Sequence, residues 1–282
     1  MRVVNFNING ARVPGRKSHE IQERSWHLLA AYGADLALIQ EVELRAIPDW
    51  AKERWTIVTG EPAFLGDLQM GWGSAIAADK RLKLKACNEL LSNSWVKLTY
   101  DYAVYGEIEL PDGDPAIVVS VHAPAKRLPE YLQSMGKPGA LTKEEAEAIA
   151  QPGDDAWAVD LFFAAIASCV KGKRFLAGGD WNYSRLFDIK PELRKKGQPP
   201  FSAMFFTRAL DAGWFDCHGD KNEEQSFFKP KSLPYQLDHM FCDFKTSEHL
   251  AQCSVRSDWF IPELSDHAPM VTDFWTSESQ RK

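Results

Sequence analysis

Apolar residues recur along the chain in short, often β-branched runs, each bounded by Gly, Pro, Asp or Asn. They lie at 2–8 (RVVNFNI), 35–40 (DLALIQ), 56–60 (TIVTG), 73–78 (GSAIAA), 105–110 (YGEIEL), 116–123 (AIVVSVHA), 174–179 (RFLAGG), 237–242 (LDHMFC) and 269–275 (PMVTDFW). Runs of this length and composition predict strands. A helical period replaces them at 19–33, where Ile21, Trp26, Leu28 and Leu29 form an apolar stripe and Gly33 supplies the C-cap. Two more helices are predicted, at 154–170 with Asp154 or Asp155 as N-cap, and at 201–213. The least regular stretch, 126–153, holds Pro129, Pro138, Gly139, Pro152 and Gly153 around a short helical candidate at 142–150. It reads as an insertion between a strand and a helix. With helices spaced among strands, and neither repeat nor linker, the pattern predicts one α/β domain over residues 1–282.

Composition narrows the function classes. Hydrophobic residues make up 45% of the chain and charged residues 26%, as in ordinary globular proteins. No apolar run approaches the roughly 18 residues of a membrane span. The first ten residues read as a core strand, not a signal peptide. Five cysteines (Cys87, Cys169, Cys217, Cys242 and Cys253) show no CxxC spacing, which favours free thiols in a reducing, cytoplasmic compartment. A net charge of −6 argues against non-specific coating of nucleic acid, but leaves local basic loops open.

Chemistry-bearing residues gather at strand ends. Asn7 and Asn9 share one face of the first strand, since side chains alternate. DLALIQE ends on Gln40 and Glu41. AIVVSVHAP delivers His122, with Pro124 stopping the ladder. FLAGGDWN presents Asp180 and Asn182 on a common face, beside glycines that permit close approach. YQLDHMF and ELSDHAPM supply Asp238 and the pair Asp266-His267. Singly, each has a bland reading: a strand-end Glu is commonly a solvated edge residue, and DxN is commonly an Asx-turn.

In this chain order NxN, QE, HAP, GDWN, LDH and SDHAP resemble the signature of the endonuclease/exonuclease/phosphatase superfamily, from about residue 2 to about residue 275. That resemblance implies a four-layer α/β sandwich, two packed mixed β-sheets flanked by helices. It implies a Mg²⁺-dependent phosphodiesterase, with Mn²⁺ as possible substitute, hydrolysing DNA or RNA by in-line water attack. Glu41 would hold the metal with Asn7 beside it and Asp266 joining directly or through water. Asp180 would orient or deprotonate the attacking water, Asn182 would donate to the phosphate, and His267 would contact it with Asp238 as orienting carboxylate. His122 is a second catalytic histidine, with Glu107 or Glu109 as candidate partners. Asn9 and Arg185 are possible substrate contacts. His239 should face away from the site, and Trp181 should enter the core.

HAP stands where abasic-site endonucleases of this superfamily carry a tyrosine, and Asn9 where they usually carry Asp. Both departures point away from a dedicated abasic-site enzyme. Basic residues exceed acidic ones in 12–17 (RVPGRK), 184–198 and 221–231, whereas 124–160 is acidic. Basic loops at the mouth of an acidic body suit a polyanionic substrate. Phe227 and Phe228 could stack on a base. A phosphatase for a small or lipid-linked phosphate is the enzymatic alternative, and a non-catalytic phosphate-binding module the other. A monomer is the starting expectation.

Overall fold

Four buried strands run without a solvated face, so their sequences read as near-continuous apolar runs and not as alternating ones. They are β1 (Arg2–Asn7), β2 (Leu36–Glu43), β9 (Pro115–His122) and β10 (Arg174–Asp180). The computed structural model describes residues 1–9, 18–60, 64–65, 68–69, 71–142, 149, 156–189, 203–219, 223–229 and 234–275. The other strands are β3 (Trp55–Thr59), β4 (Phe64–Leu65), β5 (Leu68–Gln69), β6 (Trp72–Asp79), β7 (Lys85–Ala86), β8 (Ala103–Glu109), β11 (Trp214–Asp216), β12 (Asp238–Asp243), β13 (Leu250–Val255) and β14 (Met270–Phe274). The α-helices used below are α1 (Ser18–Ala31), α2 (Asp49–Arg54), α3 (Ser94–Thr99), α4 (Leu128–Ser134), α5 (Ala158–Val170), α6 (Leu186–Ile189) and α7 (Ala203–Asp211).

Two six-stranded sheets result, in the orders β13-β14-β1-β2-β6-β3 and β11-β12-β10-β9-β8-β7. Each contains one parallel pair, β1 with β2 and β9 with β10; every other pairing in the two sheets is antiparallel. The parallel pairs are joined through α1 and through α4 and α5, so each sheet is built around one β-α-β crossover. The two inner faces pack through Val3, Leu36, Leu38, Ile76, Val104, Val118, Leu176, Met240 and Met270. Trp26 and Leu29 of α1 and Ala51 of α2 cover the outside of the first sheet. Residues of α3, α4, α5 and α7 cover the second. The layers are therefore helix, sheet, sheet, helix, as the resemblance implies.

Helix α1 ends before Gly33, which takes φ 70 as expected of its C-cap. Helix α5 begins later than expected, at Ala158, where the Trp157 amide donates to the Asp160 carboxylate at 2.8 Å; Asp154 and Asp155 lie outside the described residues. The stretch read as least regular contains α4, whose Leu128, Tyr131 and Leu132 are buried. Most of the helical candidate at 142–150 lies outside the described residues. β11 and β13 carry no sequence signal strong enough to predict them: β11 has three residues, and β13 is only half-buried.

Gly178 and Gly179 have a packing reason. A Cβ on Gly178 would lie 2.6 Å from Met240 Cε and 2.9 Å from Leu38 Cδ1, and one on Gly179 would lie 1.8 Å from the Val121 carbonyl oxygen. The glycines admit the opposite sheet and the neighbouring strand.

Candidate active site

Both parallel pairs end at the same edge of the sandwich. Asn7 pairs in register with Gln40, and Asp180 with both His122 and Asp238. Clefts beyond the carboxyl ends of parallel strands are where open α/β sheets bind ligands. β1 and β10 also finish in the same way. The Asn9 amide donates to Asn7 Oδ1 at 3.0 Å, and the Asn182 amide donates to Asp180 Oδ1 at 2.9 Å. Asn9 and Asn182 take φ 49 and φ 54, a left-handed conformation that Asn tolerates, while Ile8 and Trp181 between them are buried.

This corrects two expectations. Asn7 and Asn9 do not share a face of β1, which stops at Asn7. Asp180 and Asn182 do not share a strand face, because β10 stops at Asp180 and the chain turns. DWN is an Asx-turn and part of the site at once. The turn brings Asn182 Nδ2 to the Ala123 carbonyl at 2.9 Å. Trp181 enters the core as expected, against Phe205, Trp214 and Phe241.

Glu41 reaches the site by a device that alternation hides. The pairing of β2 with β6 shifts between Ile39 and Val42, so Gln40 and Glu41 together oppose a single residue of β6. Glu41 sits in this bulge at φ 54. Bulges re-aim side chains, and here successive residues serve one end of the sandwich. Gln40 Nε2 donates to Asn5 Oδ1 and Ser120 Oγ, each at 2.9 Å, bridging the two sheets. Glu41 turns to Asn7, whose Nδ2 lies 3.3 Å from Glu41 Oε1 and 3.2 Å from Asp180 Oδ2.

His267 is held from several sides. Its Nδ1 donates to Asp238 Oδ2 at 2.8 Å, and its Nε2 lies 3.6 Å from Asp180 Oδ2. Ser226 Oγ donates to Asp238 Oδ2 at 2.7 Å. Ser265 Oγ donates to the Asn7 carbonyl at 2.6 Å and accepts the His267 amide at 2.9 Å, tying the SDH segment to β1. Burial acts to lower the His267 pKa, but the charges of Asp238 and Asp180 and the Asp238 hydrogen bond outweigh it and raise it to about 10. Burial raises the Asp180 carboxyl above its ordinary range against the pull of His267.

His122 Nε2 lies 3.6 Å from Glu41 Oε1 and 3.8 Å from Asp180 Oδ2. These are the carboxylates nearest it, whereas Glu107 and Glu109 pair with Lys85 and Lys83. Asp266 stands at the rim, 3.2 Å from Lys229 Nζ and 4.0 Å from His267 Nε2. Arg185 is turned elsewhere: its guanidinium pairs with Asp216 at 2.7 Å and lies 3.6 Å above the Phe206 ring. His239 is structural, with Nε2 at 2.9 Å from the Tyr183 carbonyl. Phe227 packs beside His267 with ring centroids 5.2 Å apart, while Phe228 stacks on Phe260. The basic window 12–17 and most of the one at 184–198 lie outside the described residues.

A divalent cation fits these donors. Glu41 is 5% exposed, its Oε2 is buried without a hydrogen-bond partner, and no Lys or Arg pairs with Glu41 or Asp180 among the described residues. Among the described residues, the three ligand-type side chains whose donor atoms all lie within 4.8 Å of one another are Cys87, Glu89 and Glu107, but they are a poorer candidate. Burial pushes the Cys87 thiol up to about 12, and Lys85 already pairs with Glu107 at 2.7 Å. Sequence reasoning gave no role to Asn5, Ser120, Ser226 and Ser265; Ser265 stands inside the SDHAP motif, but each matters through a partner distant in the chain.

No family model and no curated protein matches the chain. Solved structures do. The 3′ phosphatase NExo from Neisseria, bound to a product DNA hairpin, has a TM-score of 0.65 at 15% identity, covering 98% of this chain and 99% of its own. An AP endonuclease from Archaeoglobus fulgidus gives 0.63 at 15%, covering 97% and 99%. The endonuclease domain of TRAS1, a telomere-specific non-LTR retrotransposon, gives 0.58 at 16%, covering 97% of each chain. Over 97–98% of its residues, this chain has the fold of these endonucleases and of this phosphatase, as the resemblance implies.

Proposed function

We propose that the protein is a divalent-metal-dependent phosphodiesterase that hydrolyses DNA or RNA by in-line attack of water. The observation that carries this is a buried imidazole, held by one carboxylate and facing a second buried carboxylate. His267, held by Asp238, lies 3.6 Å from Asp180, at the edge where Glu41, Asn182 and His122 also converge. Hydrolysis of a phosphodiester needs an activated water and positive charge on the non-bridging oxygens. Asp180 takes the proton of the water, and its raised pKa makes it a better base than an ordinary carboxylate. His267 offers a protonated Nε2 to the phosphate, and Asn182 offers an amide where a carboxylate would repel it. Glu41 would hold Mg²⁺ or Mn²⁺, with Asn7 fixing its carboxylate and Asp266 at the rim. When bound, the cation supplies positive charge against the phosphate and the leaving oxygen.

The nucleic-acid substrate is supported by the solved neighbours, which include an AP endonuclease, a retrotransposon endonuclease domain and a phosphatase holding a DNA hairpin. That last neighbour also motivates a second reading, removal of a terminal phosphate from a strand. The test is incubation of plasmid, single strands, an abasic duplex, a 3′-phosphorylated duplex and RNA with Mg²⁺ or Mn²⁺, with Asp180→Ala as control. Nicking or shortening by the wild type alone is expected. Turnover of small phosphoesters with every polymer left intact would overturn the nuclease reading.

A further inference from the structure

His122 is the one site residue whose position the water-attack scheme does not use. Its ring is fixed by packing: Trp72 and Tyr102 lie against it, with centroids 5.7 Å and 5.8 Å away. Its Nδ1 is buried without a partner. Its Nε2 points between two carboxylates, at 3.6 Å from Glu41 Oε1 and 3.8 Å from Asp180 Oδ2. Both distances exceed a hydrogen bond. They are instead several tenths of an ångström beyond the roughly 3 Å between neighbouring ligands of an ion with bonds of about 2.0–2.2 Å. Independently, Glu41 Oε2 is buried with no donor, on a residue whose backbone takes φ 54.

We infer that His122 Nε2 is a metal ligand alongside Glu41, beside the Asp180 carboxylate that takes the proton of the water. The site therefore favours a first-row transition-metal ion, of which Mn²⁺ is the hardest, over Mg²⁺. The inference rests on reading this edge as the hydrolytic centre, and names the ion that centre takes. Mg²⁺ favours all-oxygen octahedra, whereas imidazole nitrogen suits later and softer ions, so one His in the set shifts the preference. Most ligating histidines have the second ring nitrogen hydrogen-bonded. Here the Trp72 ring, tilted against the imidazole, and the Tyr102 ring, edge-on to it, do that orienting work.

The test uses the full-length protein and Mn²⁺ alone, without substrate. Pulsed electron paramagnetic resonance of bound Mn²⁺ reads directly ligated imidazole as nitrogen hyperfine coupling, and uniform ¹⁵N-histidine labelling confirms its source. Coupling is expected in the wild type and in His267→Gln, and its loss in His122→Gln. Calorimetric affinities should favour Mn²⁺ over Mg²⁺ in the wild type, and His122→Gln should weaken Mn²⁺ binding by about tenfold or more. Near-ultraviolet circular dichroism checks the fold of each variant. If His122→Gln does not fold, the wild-type and His267→Gln spectra still decide. Bound Mn²⁺ with no nitrogen coupling would overturn the inference, as would coupling that vanishes only in His267→Gln. Absence of Mn²⁺ binding would overturn it too. Cleavage of nucleic acid with Mg²⁺ alone would then leave the hydrolase reading standing, and a nitrogen-coupled Mn²⁺ on a protein that cleaves nothing would sink that reading while sparing this one.

Discussion

Glu41 combines two unfavourable features in one residue: a left-handed backbone, which costs an L-residue about 1–2 kcal/mol, and a buried carboxylate that no Lys or Arg pairs with among the described residues. Such strain persists where function holds it in place. Removing the charge should therefore stabilise the metal-free protein while abolishing metal-dependent activity. We expect Glu41→Gln to raise the melting temperature in chelator and to lose the Mg²⁺- or Mn²⁺-dependent rise that the wild type shows. A lower melting temperature in chelator would contradict this. His267 makes a pH prediction. Its folded pKa of about 10 is above the unfolded value near 6.5, so its pairing stabilises fully below about pH 6.5 and is lost as pH rises through 10. In chelator, urea melts of wild type and Asp238→Asn should differ most near pH 6, and the gap should narrow by pH 10.5. A gap independent of pH would mean that Asp238 does not hold the imidazolium.

At the scale of elements, the nine strands with strong apolar runs and the three amphipathic helices were legible because burial on one or both faces leaves a period in the sequence. The turns and the bulge were not. Alternation placed Asp180 and Asn182 on one face, but Asp180 caps its own turn through a local hydrogen bond that competes with continued strand. Alternation also separates Gln40 from Glu41, and only the bulge against β6 reunites them. The glycines before Asp180 were readable as a close approach but not as an approach of which partner; that depends on Val121, Leu38 and Met240, all remote in sequence. Gly179→Ala should accordingly cost about 3 kcal/mol or prevent folding, because its Cβ would collide with backbone that cannot rotate away. Chemical denaturation settles it, and a change below about 0.5 kcal/mol would show that the strands can part without cost.

The whole molecule packs two sheets face to face, each built on one β-α-β crossover, so the candidate site at their common end draws on β1, β2, β9, β10 and β12 and on the segment before β14. The candidate residues Asn7, Glu41, His122, Asp180, Asn182, Asp238 and His267 were legible through the order of short motifs, not through any single one. Arg185 was not: its spacing suggested a substrate contact, but Asp216 and Phe206, which engage it, come from strand and helix later in the chain. The polar bridge between the sheets was equally hidden. Gln40 joins Asn5 of one sheet to Ser120 of the other while wholly buried. Gln40→Leu removes the donor to Asn5 Oδ1, while Ser120 Oγ keeps the Ile39 carbonyl at 3.0 Å, and should cost about 1–3 kcal/mol, read as a shifted urea midpoint with the slope unchanged. An unshifted midpoint would mean that the bridge contributes nothing to holding the sheets together.

The central claim is that Asp180 and His267 act on the reacting phosphodiester. Its most direct measurement is the single-turnover cleavage rate of a labelled oligonucleotide at saturating metal, for wild type, Asp180→Asn and His267→Gln, with folding checked by circular dichroism. The account predicts folded variants slowed by at least about 10²-fold each, with extra metal restoring neither. Wild-type rates in either folded variant, or full rescue of His267→Gln by excess Mg²⁺, would contradict it.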